Sequence, residues 1–181
     1  RTAAATASTD AAAMILDPLP LIRMSSDLAV ALAAAAASGA EAERTRKLVQ
    51  QDSAVSQRTA ESAQAQAAGD SGKVASLRAE LRTSWGSLLA NQPTAERMAL
   101  LDALSRGESV LVRIEPLGGA MTTPPARAWL IVPGAGQRAA RILGRFQQPG
   151  AGVTPGWLAV APGAELAPGL AIPARLEQPA N

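Results

Sequence analysis

The sequence offers few side chains that could make or break a covalent bond. Its 181 residues include no histidine and no cysteine, which removes Ser-His-Asp and Cys-His nucleophiles and the commonest zinc ligands. Ser71 and Lys73 could be imagined as a Ser/Lys pair, but a lone lysine on a helix is normally solvated. The carboxylates are scattered, and no two of them are marked out for acid–base work. We therefore expect a protein that is not an enzyme and binds no cofactor.

One glycine-rich motif has the form of a nucleotide-binding signature. Residues 134–139 read Gly-Ala-Gly-Gln-Arg-Ala and follow an apparent strand at 129–132. A dinucleotide site also needs a helix after the motif and an acidic residue about 20 positions further on. The chain runs instead into Pro149-Gly150, and few residues remain. The motif therefore predicts a hairpin loop between two strands.

The methionines leave a second function open. Four thioethers could bind a soft ion such as Cu(I), those of Met14, Met24, Met98 and Met121. Nothing in their spacing brings them together, and Met98 shares a helical apolar face with Leu101 and Leu104. A stand-alone periplasmic binding or chaperone protein for copper is thus the alternative to the interaction protein described below.

Composition and charge exclude several other classes of protein. Apolar residues make up 48% of the chain but aromatic residues only 2%, which predicts thin packing and an elongated form. The formal net charge is +2, and basic and acidic residues are interspersed, so we expect no nucleic-acid binding. No run reaches the roughly 18 strongly apolar residues that a membrane span needs.

The N-terminal segment differs in composition from the rest of the chain. Residues 1–13 are rich in Ala, Thr and Ser, and Pro18 and Pro20 argue against a helix interior before residue 24. We predict that residues 1–24 are extended or disordered. Ser25, Ser26 and Asp27 could then cap the first helix.

Residues 25–90 have the pattern of a helical hairpin. One helix is expected from Leu28 to about Asp52, and a second, capped by Ser56, to about Leu89. The expected seam of the first helix is Leu28, Leu32, Ala35, Gly39, Ala42, Arg46 and Val49. That of the second is Ala60, Ala63, Ala67, Asp70, Val74, Leu77, Leu81 and Ser84. Both alternate steps of three and four, the coiled-coil period, and the short turn at residues 53–56 predicts antiparallel packing.

The second half of the chain changes character. Residues 91–107 predict a short connecting helix, with Pro93 in its first turn and Gly107 at its end. Over residues 108–181, short apolar runs at 109–115, 127–132, 138–147, 156–161 and 170–176 alternate with Pro/Gly turns. The predicted fold is therefore α+β: a long antiparallel α-helical hairpin, or coiled coil, joined to a small antiparallel β-barrel.

Three segments carry a resemblance to a known family. Residues 43–56, read with 59–63, resemble the hairpin tip of periplasmic adaptor subunits, the membrane fusion proteins of efflux pumps. Residues 81–89 resemble the end of the second hairpin helix in some of these adaptors, and residues 166–176 are similar to their last barrel strand. By position, Arg44, Leu48 and Ser56 match the tip residues that contact an outer-membrane channel.

The resemblance implies a partner-binding role in the periplasm. The hairpin tip would dock onto a TolC-like outer-membrane channel, and the β-domain would bind an inner-membrane transporter. Adaptors usually flank the hairpin with two halves of a lipoyl domain, signalled by a G-D-x-V-x-x-G turn. No such turn precedes Ser25, and Trp85 leads almost directly to the short helix. We therefore expect an adaptor without a lipoyl domain, in which a homo-oligomer is possible.

Overall fold

The structure is a computed structural model that describes residues 8–51, 56–119, 121–146, 156–163 and 165–179. It contains helices and one antiparallel sheet, and it divides into two compact units. The first unit combines Arg1–Ile22 with Leu81–Asn181, and the second is Arg23–Glu80. The expected turn residues 53–55 and the turn at Pro149-Gly150 lie outside the described part.

Six strands close into an antiparallel barrel. They are β1 (Ser8–Leu16), β2 (Ser109–Pro116), β3 (Arg127–Val132), β4 (Gly136–Phe146), β5 (Gly156–Pro162) and β6 (Ala171–Glu177). Around the barrel the order is β1-β2-β5-β4-β3-β6, and each neighbouring pair is antiparallel. The predicted β-barrel is confirmed.

Small and medium apolar side chains fill the barrel interior. Alternate residues of each strand point inward, as the two-residue period of a strand requires. They are Ala11, Ala13, Ile15, Val110, Val112, Ile114, Ala128, Leu130, Val132, Ala140, Trp157, Ala159, Ala161, Ile172, Ala174 and Leu176. Alanine accounts for many of these positions, because the interior of a narrow barrel has little room for larger side chains.

Two short helices cover part of the outer surface of the barrel. They are α3 (Ser87–Asn91) and α4 (Thr94–Ser105), which contact β4 and β2 respectively. The outward-facing Leu111, Leu158 and Val160 are buried as well. This explains why the run Gly-Trp-Leu-Ala-Val-Ala in β5 is apolar throughout instead of alternating with polar residues.

The remaining helices are α1 (Leu19–Gln50) and α2 (Gln57–Trp85). At about 1.5 Å per residue, their 32 and 29 residues extend about 48 and about 44 Å. The loop with the G-x-G-x-x-A motif connects β3 directly to β4, with Gly134 and Gly136 at positive φ and no helix after it. The expected hairpin loop is confirmed.

The prediction for the N-terminal segment was wrong in two respects. Residues 8–16 form β1, which pairs with β2 on one side and β6 on the other. Helix α1 begins at Leu19, and its cap is Asp17, whose carboxylate accepts the Leu19 N–H at 2.9 Å. Pro18 and Pro20 fit there because backbone N–H groups at a helix start have no intrahelical partner. Ser25 therefore lies inside the helix, where it is 1% exposed.

The apolar face predicted for α4 needs one correction. Its buried residues are Arg97, Leu100, Leu101 and Leu104, whereas Met98 is 48% exposed. The spacing of three and four residues from Arg97 defines one helical face, and Met98 lies beside it. The prediction used apolar residues only, so it assigned Met98 to the buried face and missed Arg97, a charged residue that is buried there.

Helix α1 also has the length and composition of a membrane span. Among the described helices, it alone contains 18 consecutive residues apolar enough to cross a membrane. Their mean hydropathy is 1.4, and 22% of them are buried. Alanine supplies most of the apolar residues between positions 28 and 40 of this helix. Soluble core helices and signal sequences have the same properties, so this feature is weak evidence for a membrane location.

Candidate partner-binding surfaces

Each long helix has one face of less exposed residues within the helical unit. On α1 the less exposed residues form a wider face: Leu28, Ala29, Ala31, Leu32, Ala35, Ser38, Gly39, Ala42, Glu43, Thr45, Leu48 and Val49. We call the line Leu28, Ala31, Ala35, Ser38, Ala42, Thr45 and Val49 within this face the α1 stripe. The α2 stripe consists of Ala60, Ala63, Ala67, Asp70, Val74 and Leu77. Between residues 57 and 80 of α2, every residue outside the stripe is exposed. On α2, the less exposed side chains are therefore confined to one face of the helix.

The two stripes have mirrored spacing. Forward from Leu28, the α1 stripe advances by alternating steps of three and four residues; backward from Leu77, the α2 stripe recedes by the same steps. When Leu28 is aligned with Leu77, Ala42 aligns with Ala63. A mean step of 3.5 residues keeps one face of a helix toward a neighbour over its whole length.

The α2 stripe coincides with the predicted seam, and on α1 six of the seven predicted seam residues lie on the less exposed face; Arg46 is the exception. Thr45 is 3% exposed, whereas the side chain of Arg46, expected on the seam, is 64% exposed and ion-paired with Glu43. The buried Thr45 hydroxyl donates to the carbonyl oxygens of Glu41 and Ala42 at 2.9 and 3.1 Å. A threonine satisfied by its own helix is compatible with burial, whereas a guanidinium would lose its hydration.

A groove of 380 Å³ is lined by residues from both long helices. Val30, Ala31 and Ala34 of α1 and Leu77 of α2 supply apolar walls. Charged groups at Asp27, Asp70 and Lys73 complete the lining. Val30 is 67% exposed, which is unusual for a large apolar side chain.

The three residues matched to the adaptor tip lie in the last turns of α1 and at the start of α2. Arg44 is exposed and forms an ion pair with Glu41 at 2.7 Å, and Leu48 is partly buried one turn later. Ser56 caps α2: its hydroxyl accepts the Thr59 N–H at 3.2 Å and shares a hydrogen bond with the Thr59 hydroxyl at 2.9 Å. The contact role of these residues stays a prediction.

Ion pairs follow the outer face of this part of α1. Hydrogen bonding to Arg44 holds the pKa of the Glu41 carboxyl below its usual value, and the same contact raises the pKa of Arg44. Hydrogen bonding to Arg46, with Lys47 also in contact, lowers the pKa of Glu43. All these groups are solvent-exposed, so their pairs contribute little to stability and are screened by salt.

The chain reverses sharply where α2 ends. Gly86 has φ 94° and ψ 158°, a conformation that is open essentially to glycine alone. A Cβ at this position would lie 2.6 Å from the carbonyl oxygen of Arg145 on β4. Next to it, the rings of Trp85 and Phe146 are 6.0 Å apart. The end of α2 is therefore fixed against β4 by backbone proximity as well as by aromatic packing.

A second groove, of 580 Å³, lies on the outer face of β3 and β4. We call it the β3–β4 groove; Leu88, Arg127, Trp129, Arg141 and Ile142 are among its lining residues. Sequence reasoning did not identify it. Both strands were predicted, and strand alternation applied to them would have placed Arg127, Trp129 and Arg141 on one outward-facing surface.

The methionines considered for copper are distributed over separate elements. Met14 lies on β1 and Met98 on α4, and each is about half exposed. Met24 lies in α1, and Met121 packs against the barrel core. Within the described ranges, no group of three His, Cys, Asp or Glu side chains could hold a metal ion.

Comparison with known proteins includes a weak structural likeness. No protein-family model matches the chain, and no curated protein matches it. The similar structure is a crystal structure of a candidate efflux transporter from Bacteroides eggerthii DSM 20697. The aligned region covers 98% of this chain and 72% of the transporter chain, with 12% sequence identity and a TM-score of 0.33. A similarity of this size assigns no family, so the function rests on the residues of this chain.

Proposed function

We propose that this chain is a periplasmic adaptor-like protein of a tripartite efflux system. Its helical unit would bind an outer-membrane channel, and its barrel would bind an inner-membrane transporter. The role is geometric: the long helices set a distance, side chains at their end contact a partner, and no bond is made or broken. The residue resemblance at 43–63, 81–89 and 166–176 supports this assignment.

The mirrored spacing of the two stripes is the observation that carries the proposal. If α1 and α2 pack antiparallel, Leu28 faces Leu77, Ala31 faces Val74 and Ala42 faces Ala63. Large residues then meet at one end and small residues along the rest, which allows a close helix–helix approach toward the other end. The groove lined by both helices supports the same pairing.

This pairing would place the three tip residues together. Arg44 and Leu48 lie in the last two turns of α1, and Ser56 immediately precedes α2. Their arrangement gives a charged group, an apolar side chain and a hydroxyl at one end of a hairpin. An exposed arginine is well suited to bidentate contacts with carboxylates or backbone carbonyls of a partner.

The test is recovery of a purified TolC-like channel on immobilised protein. Arg44→Asp and Leu48→Asp should each lower recovery by about tenfold or more, because each removes one central contact of a small interface. Glu41→Gln is the control for the ion pair: it removes the partner of Arg44 but keeps the guanidinium, and recovery should stay near that of the unchanged protein.

A second control measures the effect of charge alone. Arg78 is exposed on α2, far along the helix from Ser56, so Arg78→Asp makes the same charge change away from the proposed tip. Equal recovery of the channel by all variants, or equal loss with Arg78→Asp, would contradict the tip assignment.

A further inference from the structure

We propose that the β3–β4 groove binds an extended acidic segment of a partner protein that also carries apolar side chains. This inference goes beyond the proposed function, because it concerns the barrel and does not depend on how the long helices pack. It rests on the charge, the unsatisfied donor and the exposed apolar surface of the groove.

Two exposed arginines, Arg127 and Arg141, line the groove. Ala128 pairs with Ala140 and Trp129 with Ala139, so Arg127 and Arg141 occupy the next position of the same antiparallel register. Both are exposed and point outward, since Ala128 and Ala140 point into the core. Like charges on neighbouring strands repel each other, so an anion between them would be stabilising.

Described carboxylates do not neutralise these two arginines. Glu177 lies opposite Arg127 on β6, and Glu96 lines the neighbouring groove beside Arg141, but neither forms an ion pair with these guanidinium groups in the described chain. The β3–β4 groove itself has no Asp or Glu among its described lining residues. Its charge is therefore complementary to an acidic ligand.

Trp129 adds a hydrogen-bond donor that lacks an acceptor. Its indole Nε1 is buried and has no hydrogen-bond partner among the described residues, although the residue as a whole is half-buried at the groove. Buried indole N–H groups normally have a partner. A carboxylate or backbone carbonyl of a bound segment could supply one.

The apolar part of the groove favours a peptide over other anions. Leu88 is 59% exposed, and it lines the groove together with Pro125 and Ile142. Nearby cations are engaged elsewhere: Arg138 pairs with Glu165, and Arg145 donates to the carbonyl oxygens of residues 121 and 122. Two arginines beside apolar walls suit one acidic side chain between apolar neighbours, whereas a polyphosphate chain or an anionic membrane needs an extended basic surface.

The closed barrel also restricts how a peptide could bind. Every strand of the barrel has a hydrogen-bonded neighbour on both sides, so a partner strand cannot be added to a free edge. Recognition at the groove would therefore depend on side chains, and the affinity should be sensitive to the two arginines and to Trp129.

The experiment measures fluorescence anisotropy of a labelled peptide of alternating Leu and Glu residues with the full chain, beside a Leu/Gln peptide of equal length. We expect saturable binding of the Leu/Glu peptide alone. Arg127→Gln/Arg141→Gln should weaken it by about tenfold or more, and Trp129→Phe, which keeps an aromatic ring but removes the N–H, by about threefold.

Arg82→Gln is the matched control, since it removes one exposed charge from α2 and should leave peptide affinity unchanged. Circular dichroism and thermal melting check folding, and the double arginine variant should melt no lower than the unchanged protein because it removes like-charge repulsion.

Four results would overturn the inference. The first is that the Leu/Glu peptide shows no saturable binding at concentrations up to about 1 mM, and the second is that the Leu/Gln peptide binds equally well. The third is that Arg82→Gln lowers peptide affinity as much as the groove variants do, and the fourth is that a single-stranded oligonucleotide or phosphatidylserine vesicles bind more tightly than the peptide. Channel recovery by the groove variants should be unchanged, so failure here and failure of the tip assignment are separate outcomes.

Discussion

Gly86→Ala is the substitution whose cost the structure defines most closely. The φ,ψ pair of Gly86 lies in a region that costs a non-glycine residue roughly 1–3 kcal/mol. The added methyl group would meet the Arg145 carbonyl oxygen at 2.6 Å, so β4 or the end of α2 must shift, at a further cost of roughly 1–3 kcal/mol. We expect a loss in the free energy of unfolding of roughly 2–6 kcal/mol.

Gly107→Ala is the matched comparison. Gly107 also has positive φ, 69°, but a Cβ there would meet no atom within 4 Å, so only the backbone conformation is penalised, by about 1–2 kcal/mol. Urea unfolding followed by tryptophan fluorescence measures both, and each kcal/mol lowers the Tm of a chain of this size by about 2–4 °C. If the two variants lose equal stability, the close approach of Gly86 to β4 does not exist.

Three further predictions concern the helical unit. Ala63→Leu, on the α2 stripe, should lower stability by about 1–3 kcal/mol through overpacking, whereas the exposed Ala65→Leu should change it by less than about 0.5 kcal/mol in thermal melts. Ser56→Ala removes the cap of α2 and should lower the free energy of unfolding by about 1 kcal/mol in urea titrations. Because pairing lowers the pKa values of Glu41 and Glu43, helicity by circular dichroism should fall as the pH drops below their usual 4.5, and less so in Glu41→Gln/Glu43→Gln.

The sign of the pH effect follows from the direction of the pKa shifts. A carboxyl whose pKa is lower in the folded state contributes stability above its unfolded pKa and loses it as the pH falls through the folded pKa. High salt should reduce the difference between the two proteins, since the pairs are exposed. An equal pH response in both proteins would contradict a role of these ion pairs in the pH dependence of helicity. Equal effects of leucine at residues 63 and 65 on stability would contradict the packing of the α2 stripe.

Five of the six strands were predictable because each is a short apolar run between Pro/Gly turns. The first strand was not, since Ser8–Leu16 is rich in alanine and no turn residue marks its start. Its strand conformation comes from pairing on both sides, where Ala11 is opposite Pro116 on β2 and Ala174 on β6. Such partners lie far along the chain, and local propensity carries no information about them.

The three/four spacing of the less exposed residues on the long helices was predictable, but not every residue of the seam was. The residues predicted for the α2 seam are the less exposed ones on that helix, because Val74 and Leu77 continue the same face as the alanines at 60, 63 and 67. On α1 the predicted seam departs from the less exposed face only at Arg46, where the neighbouring Thr45 is buried instead. The β3–β4 groove required the pairing register of two strands, which the strand patterns alone do not provide.

The antiparallel pairing of α1 and α2 is the claim on which the proposed function depends. The chain has no cysteine, so Ala42→Cys/Ala63→Cys introduces a single pair of thiols at matching stripe positions. A short bismaleimide should cross-link this pair within one chain in high yield at low protein concentration. Ala35→Cys/Ala63→Cys, displaced by one heptad or about 10 Å, should give little product. Equal yields from the two pairs, or none from either, would contradict the hairpin and with it the adaptor assignment.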